Sequence, residues 1–252
     1  MSTPSAWSLS VDQERIGWLT VDKPGSSANT LGRAGLNELR QQLDSAAAHS
    51  LKGLVIRSSK PSGFMAGADI REFSNAESQA SMREVIALGQ GLFERIEALP
   101  CPVVAALHGF ALGGGLELAM ACHYRVAVGD SKLSLGLPEV QLGLHPGFGG
   151  TVRSVRLLGV RPAMQLMLTG RPVRADQALK LGLVDRLVGS TAELESAARE
   201  LIGAAPPRHR PPLAERCLSL PGIRALLRPA LLRQLAARAR RDHYPAPYAI
   251  VD

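Results

Sequence analysis

Hydrophobic and polar positions along the chain predict strands that alternate with helices. Residues 8–12 and 15–21 alternate as the two strands of a β-hairpin do, and residues 33–49 place Leu36, Leu39 and Leu43 on one side of a helix. The other predicted elements, in chain order, are a strand at 53–58, a helix at about 70–98, a strand at 102–109, a helix from about 114, a strand at 124–129, helices near 149–159 and across 161–181, and a strand at 182–188. Strands separated by helices indicate an α/β fold with mostly parallel pairing.

From about residue 190 the pattern is helical only, with a break at PPRHRPP, residues 206–212. We therefore expect a catalytic core at 1–189 and a helical region at 190–252 that ends in a linker-like segment. Pro245 and Pro247 are expected to break the last helix and leave an extended end. An apolar stripe in this region is expected to pack on the core, and its members are Leu226, Leu227, Leu231, Leu232 and Leu235.

Charge and cysteine content narrow the classes of function. Residues 205–252 hold nine arginines and three acids, so this region carries most of the formal charge of +7. An RNA-binding module is one interpretation of such a region, but a basic tail is more often a solvated or docking helix, so nucleic acid is not the expected partner. Cys101, Cys122 and Cys217 form an odd set without CxxC spacing, which favours a reducing, cytoplasmic location. No membrane span and no metal site are expected.

Several well-known motifs are absent from the sequence. It has no GxxxxGK[ST] phosphate loop, no GxSxG elbow and no HExxH metal motif. GFGGTV at 147–152 lacks the final glycine of the dinucleotide fingerprint. The chemistry must therefore come from other residues.

Two glycine-rich stretches follow predicted strands. In HGFALGGGLELAMAC, residues 108–122, a strand ends at His108 and a helix begins near Gly114, so free N–H groups face the crevice at the strand end. In SGFMAGADI, residues 62–70, Asp69 and Glu72 resemble a capping box that starts a helix at Ile70 and turns the Ala68 N–H outward. Two such donors would stabilise a developing oxyanion, for example that of a thioester enolate. The alternative for the glycines is a tight turn with close helix–strand packing.

Two carboxylates are placed to act with these donors. Glu117 lies about one helical turn after Gly114, and Glu139 follows Pro138, which fixes the local backbone. One carboxylate would take a proton from a water held between them, and the other would donate a proton to carbon. The alternatives are a solvated helix residue for Glu117 and an ordinary loop acid for Glu139. His145, before a further helix start in HPGFGGTVR, is interpreted as structural.

Over about residues 8–190 the chain resembles the crotonase, or enoyl-CoA hydratase/isomerase, superfamily. The matching segments are SGFMAGADIREF, LPCPVVAALHGFALGGGLELAMACHYRVA, LGLPEVQLGLHPGFGGTVRSVRLLG and LTGRPVRADQALKLGLVDRLV. The resemblance implies a spiral of β-β-α units, with Ala68 and Gly114 as the oxyanion hole and Glu117 and Glu139 as the paired catalytic acids. It further implies a lining for substrate and CoA formed by Ser27, Ala28, Asn29, Ala66, Gly67, Asp69, Ile70, Phe110, Leu112, Pro138, Leu142 and Gly147.

The implied reaction is hydration of the C2=C3 bond of trans-2-enoyl-CoA thioesters in fatty acid β-oxidation, with no cofactor besides the CoA of the substrate. The alternatives are Δ3–Δ2 isomerisation at the same site and an inactive scaffold. PGFGGTVR and the final HYPAPYAIVD are most similar to the N-terminal hydratase part of multifunctional β-oxidation α-subunits. We expect a truncated or stand-alone hydratase part without dehydrogenase activity, acting as a homotrimer or within a larger multienzyme.

Overall fold

A six-stranded sheet forms the centre of the computed structural model, which describes residues 5–69, 79–237 and 240–251. The strands are β1 (Trp7–Val11), β2 (Ile16–Val21), β3 (Gly53–Ser58), β4 (Val103–Leu107), β5 (Phe110–Leu112), β6 (Tyr124–Val128), β7 (Ser134–Gly136) and β8 (Arg186–Val188). The large sheet has the order β1-β2-β3-β4-β6-β8, and β5 pairs with β7 in a small parallel sheet. Only the β1–β2 hairpin is antiparallel in the large sheet, so the predicted hairpin and the mostly parallel pairing are confirmed.

Helices follow most of the strands. They are α1 (Arg33–Ala47), α2 (Gln79–Glu97), α3 (Gly114–Ala121), α4 (Gly150–Leu158), α5 (Val160–Thr169), α6 (Ala175–Leu181), α7 (Leu194–Ala204), α8 (Leu213–Leu218), α9 (Pro221–Ala236) and α10 (Ala246–Val251), with 3₁₀ turns at Pro138–Leu142 and Thr191–Glu193. Ile70 and Glu72, and with them the predicted start of the helix at 70, lie outside the described residues. Within the described ranges, no helix is long and apolar enough to cross a bilayer.

Side chains of the sheet alternate between two hydrophobic clusters, because successive residues of a strand point to opposite faces. In β4, Val103, Ala105 and Leu107 belong to the larger cluster, whereas Val104 and Ala106 belong to the smaller one. The larger cluster includes the apolar sides of α1, α2 and α3, and α7 covers the other face. Helix α3 is buried along all eight of its residues.

The small sheet sets the entry to α3. The Gly113 N–H donates to the Gly136 carbonyl of β7 (2.9 Å), and the Leu112 N–H donates to the Met65 carbonyl (3.0 Å). The backbone between β4 and α3 is thereby fixed against the loop that follows β3. The two strands of the small sheet were absent from the sequence prediction, because a run of three residues shows no alternation.

The C-terminal region differs from expectation in two ways. Helix α9 has no buried residue and Leu226 is 80% exposed, so the prediction that its leucines pack on the core is wrong for the single chain. The expected extended end is also wrong, because residues 246–251 form α10 and Ile250 joins the larger core cluster. Pro245 and Pro247 lie at the start of this helix, where a missing N–H breaks no intrahelical hydrogen bond.

Candidate active site

Two backbone N–H groups lie side by side at the site. A methyl group placed on Gly114 would be 3.5 Å from the Ala68 nitrogen. Neither the Ala68 N–H nor the Gly114 N–H donates to an acceptor in the described ranges, although the neighbouring N–H groups of Gly113 and Asp69 do. Gly113 makes the tight turn that precedes α3 with a φ of 50°, a conformation that favours glycine. The structure therefore brings the two predicted donors together.

The loop that carries Ala68 is held by buried polar contacts. Asn29 is fully buried, and its Nδ2 donates to Ser58 Oγ (2.9 Å) and to the Phe64 carbonyl (3.1 Å). Asp69 is buried and pairs with Lys23 Nζ at 2.7 Å. The side chains of Asn29 and Asp69 thus position the loop.

Glu117 is 1% exposed, so the alternative of a solvated helix residue is wrong. Its Oε1 accepts hydrogen bonds from the Phe148 N–H (2.8 Å) and the Gly150 N–H (2.7 Å). Burial, followed by the charge of Glu139, raises the pKa of Glu117 to about 8, against the lowering effect of the two N–H groups and of Arg153. Its proton can therefore be gained and lost near neutral pH.

Glu139 is the second carboxylate of the site. Its Oε2 is buried and has no hydrogen-bond partner among the described residues, and its Oε1 would lie 2.8 Å from a methyl group on Gly113. Burial raises the pKa of Glu139 to about 7. A buried carboxylate oxygen without a donor is costly unless a ligand or water satisfies it, so Glu139 is a candidate to contact a ligand.

Sequence reasoning did not single out Phe148, which contacts the candidate catalytic residue Glu117. Its N–H holds Glu117, and its ring packs edge-on against Phe93 at a centroid distance of 5.5 Å. Helix α2 makes room for the ring at Gly89, where a methyl group would lie 2.5 Å from it. Arg153 Nη1 donates to the Phe148 carbonyl at 2.8 Å. The glycines of PGFGG indicated that another group packs closely against this backbone, but their spacing did not show that the group is the Glu117 carboxylate.

The other residues expected to line the site lie at different depths. Gly67 is buried, with a φ of 105°, and Ser27 and Ala66 are exposed. Leu142 is 62% exposed at the end of the 3₁₀ turn. His145 is exposed, with Nδ1 3.1 Å from the Pro146 carbonyl, in agreement with a structural role. The half-buried members of the set are Ala28, Phe110, Leu112, Pro138 and Gly147.

Known proteins are similar to this chain in sequence and in fold. The chain is 42% identical, over 264 aligned positions, to the fatty acid oxidation complex subunit alpha of Aliivibrio fischeri; all of the chain is covered, but only 37% of that relative. An enoyl-CoA hydratase from Bacillus anthracis superposes with a TM-score of 0.72 at 34% identity, covering 79% of this chain and 76% of that one. DspI from Pseudomonas aeruginosa superposes with a TM-score of 0.73 at 29% identity, covering 97% and 93%. The family model for enoyl-CoA hydratase/isomerase matches residues 12–219, and the chain belongs to this family.

Proposed function

We propose that this chain is a trans-2-enoyl-CoA hydratase that acts in fatty acid β-oxidation. The observation that carries the proposal is the pairing of Glu117, held through Oε1 by two N–H groups, with Glu139, whose buried Oε2 has no donor in the described ranges. Glu139 Oε1 would lie 2.8 Å from a methyl group on Gly113, and the ring of Phe148, whose N–H holds Glu117, would lie 3.0 Å from one on Gly114. A hydratase needs this combination: an oxyanion hole, a base for water and an acid for carbon.

In this proposal the Ala68 and Gly114 N–H groups bind the thioester oxygen. Negative charge grows on that oxygen as hydroxide adds to C3, and the two donors stabilise it in the enolate. One such donor typically contributes about 2.7–4 kcal/mol to the transition state. The position of Gly114 at the N-terminus of α3 adds the partial positive charge of the helix end.

The two glutamates move the protons. Glu117 takes a proton from the water, the remaining hydroxide forms the bond to C3, and Glu139 delivers its proton to C2 of the enolate. The net result is addition of one water across C2=C3, and the pair is reset when the proton on Glu117 passes through solvent to Glu139. The two hydrogen bonds to Glu117 Oε1 orient that carboxylate as the acceptor.

Isomerisation of a Δ3-enoyl thioester is the second candidate at the same site. It needs one group that removes a proton from C2 and returns it to C4, with the oxyanion hole stabilising the dienolate. The free Oε2 of Glu139 and a pKa of about 7 suit this shuttle. Glu117 would have no proton to transfer in that reaction.

The remaining expectations belong to the same proposal. The substrate is an acyl-CoA thioester, and the reaction needs no metal and no redox cofactor. A place in a larger multienzyme agrees with the similarity to an alpha subunit of a fatty acid oxidation complex. Three further expectations rest on the sequence: a homotrimer, a cytoplasmic location, and the division into 1–189 and 190–252.

The test is hydration of crotonyl-CoA, followed by loss of absorbance of the conjugated thioester, with a series of longer enoyl-CoAs for chain length. The E117Q/E139Q double variant is the matched inactive control. Hydration by the wild type alone supports the proposal. Isomerisation of a 3-enoyl-CoA without hydration would establish the second candidate, and the absence of both reactions would establish the scaffold interpretation.

A further inference from the structure

A second cavity, of about 250 Å³, lies at the other end of α3. Met120, Ala121 and Cys122 at the end of that helix form part of its wall, together with α4, the segment at 206–212, Glu97 at the end of α2, and His123 and Arg125. Five arginines line it, namely Arg125, Arg153, Arg156, Arg208 and Arg210. Since α3 spans about 12 Å over eight residues, this cavity is separate from the space above Gly114.

One donor in the wall is buried and unsatisfied. Arg125 is 2% exposed; its Nη1 donates to the Cys122 carbonyl (2.8 Å) and its Nη2 to Asp185 Oδ2 (2.8 Å). Its Nε has no partner in the described ranges but is itself buried, so it does not open onto the cavity. A ligand in the cavity would therefore bind the guanidinium groups of the other four arginines.

The cavity also carries positive charge that the wall does not neutralise. Glu97 is the acid of the lining, and Arg153 (3.1 Å) and Arg156 (3.9 Å) share it. The guanidinium groups of Arg208 and Arg210 form no hydrogen bond or ion pair with any residue between 5 and 69, 79 and 237, or 240 and 251. Burial lowers the pKa of His123 in the same wall, and the charges of Arg208 and Arg125 lower it further.

We propose that this cavity binds an oxyanion of the phosphate class, either free phosphate or the phosphoryl group of a monoester. Guanidinium groups match phosphate oxygens in pairs, and those of Arg208 and Arg210 have no other partner in the described ranges. The volume suits a single phosphoryl group, because it lies below the range typical of sites for drug-sized ligands. The anion joins Arg208 and Arg210 of the segment at 206–212 to Arg153 and Arg156 of α4.

The test measures the melting temperature of the whole chain during titration with inorganic phosphate, with sodium chloride keeping the ionic strength constant. A ligand that binds only the folded state raises the melting temperature with its concentration. We expect a saturable rise in the wild type and a loss of at least about tenfold in phosphate affinity in R208Q/R210Q, which lacks two charged donors. The matched control is R224Q/R233Q, which removes the same charge from exposed positions of α9 and should respond like the wild type.

Two results would overturn the proposal. The first is an equal response of both double variants, or an equal response to chloride, which would mean general screening of the arginine-rich region. The second is loss of the phosphate effect in the presence of saturating CoA, which would place the cavity on the thioester path. A phosphate monoester used in place of inorganic phosphate distinguishes the two sources of the anion. Hydration of crotonyl-CoA by the variants, measured without phosphate, shows that they are folded. If the proposed function is wrong, this hydration is absent from the wild type as well, whereas the effect of phosphate on the melting temperature can still be measured.

Discussion

The carboxylates of Glu117 and Glu139 are close enough for the charge of Glu139 to raise the pKa of Glu117. Their hydrogen bonding differs sharply: Oε1 of Glu117 accepts two backbone N–H bonds, whereas Oε2 of Glu139 accepts none from the described residues. The backbone therefore fixes the orientation of one carboxyl group and leaves an oxygen of the other without a partner in the described ranges. A change of charge at Glu139 therefore also shifts the pKa of Glu117.

Replacing either glutamate by glutamine should lower hydration strongly. E117Q and E139Q should each reduce kcat by about 10²–10⁴, the usual contribution of a positioned general acid or base. The double variant should lose far less than the product of the two single losses, because both residues act on one water. Steady-state hydration of crotonyl-CoA checks this. Near-full activity of either single variant would contradict the paired mechanism.

The free energy of unfolding should depend on pH because the pKa of Glu139 differs between the folded and unfolded states. Its pKa is raised from 4.5 to about 7, so the folded state holds the proton more tightly than the unfolded state does. The stabilisation is complete below about pH 4.5 and is lost as the pH rises through 7. Glutamine does not ionise and so does not lose this stabilisation. The free energy of unfolding of E139Q relative to that of the wild type should therefore rise by on the order of 2 kcal/mol from pH 5 to pH 8.

Thermal or denaturant unfolding of E139Q at the two pH values measures this gain. Glu94→Gln, which changes an exposed carboxylate of α2, is the control and should show no such trend. If the difference in the free energy of unfolding between E139Q and the wild type is the same at both pH values, the surroundings do not raise the pKa of Glu139.

Gly114→Pro should abolish hydration, because proline removes the N–H that is proposed to bind the thioester oxygen. Proline is tolerated in the first turn of a helix, so the fold should survive, and circular dichroism should be compared first. Gly114→Ala is the matched variant: it keeps the donor but places a methyl group 3.0 Å from the Phe148 ring. Alanine should retain part of the activity. Turnover by the proline variant at the wild-type rate would remove Gly114 from the oxyanion hole.

Two glycines of α2 test the role of Phe148. A methyl group on Gly89 would lie 2.5 Å from the Phe148 ring, whereas one on Gly91 meets nothing within 4 Å. Gly89→Ala should displace Phe148 and its N–H to Glu117, which should lower kcat roughly 10–100-fold. Gly91→Ala should leave kcat unchanged and raise stability by about 0.5–1 kcal/mol, since alanine is the better helix former. Equal kinetics for the two variants would show that Phe148 does not control Glu117.

The two C-terminal helices should differ in their response to truncation of a side chain. Ile250 of α10 is 5% exposed within the core, and Ile250→Ala should cost about 2–5 kcal/mol in the free energy of unfolding. Leu226 of α9 is 80% exposed, so Leu226→Ala should change it by less than about 0.5 kcal/mol. Urea unfolding of the two variants makes the comparison. A large loss for Leu226→Ala would indicate that another surface covers α9.

The sequence predicted the long elements and the catalytic candidates because each left a local signal. GLVIRS is an uninterrupted apolar run, and β3 spans the same residues, 53–58. Glu117 was conspicuous as an acid among apolar neighbours. The contacts that decide its chemistry were not local: Phe148 lies 31 positions away along the chain.

The two wrong predictions for the C-terminal region also arose because local patterns do not report contacts between distant residues. The leucines of α9 have helical spacing, yet spacing does not say whether a surface is available to cover them. Pro245 and Pro247 were expected to end a helix, but proline also starts helices, and burial of Ile250 decided between the two. Tertiary packing therefore settled what local patterns left open.

The complete burial of α3 has a consequence for motion on the timescale of amide hydrogen exchange. Its internal N–H groups, from Leu118 to Ala121, are screened from solvent on every side and should exchange only when the whole domain unfolds. The proposed oxyanion donor of Gly114 and the carboxylate of Glu117 thus belong to the most persistent part of the molecule. Any adaptation to acyl chains of different length has to occur in other elements, so that substrate range can diverge while the reacting groups keep their positions.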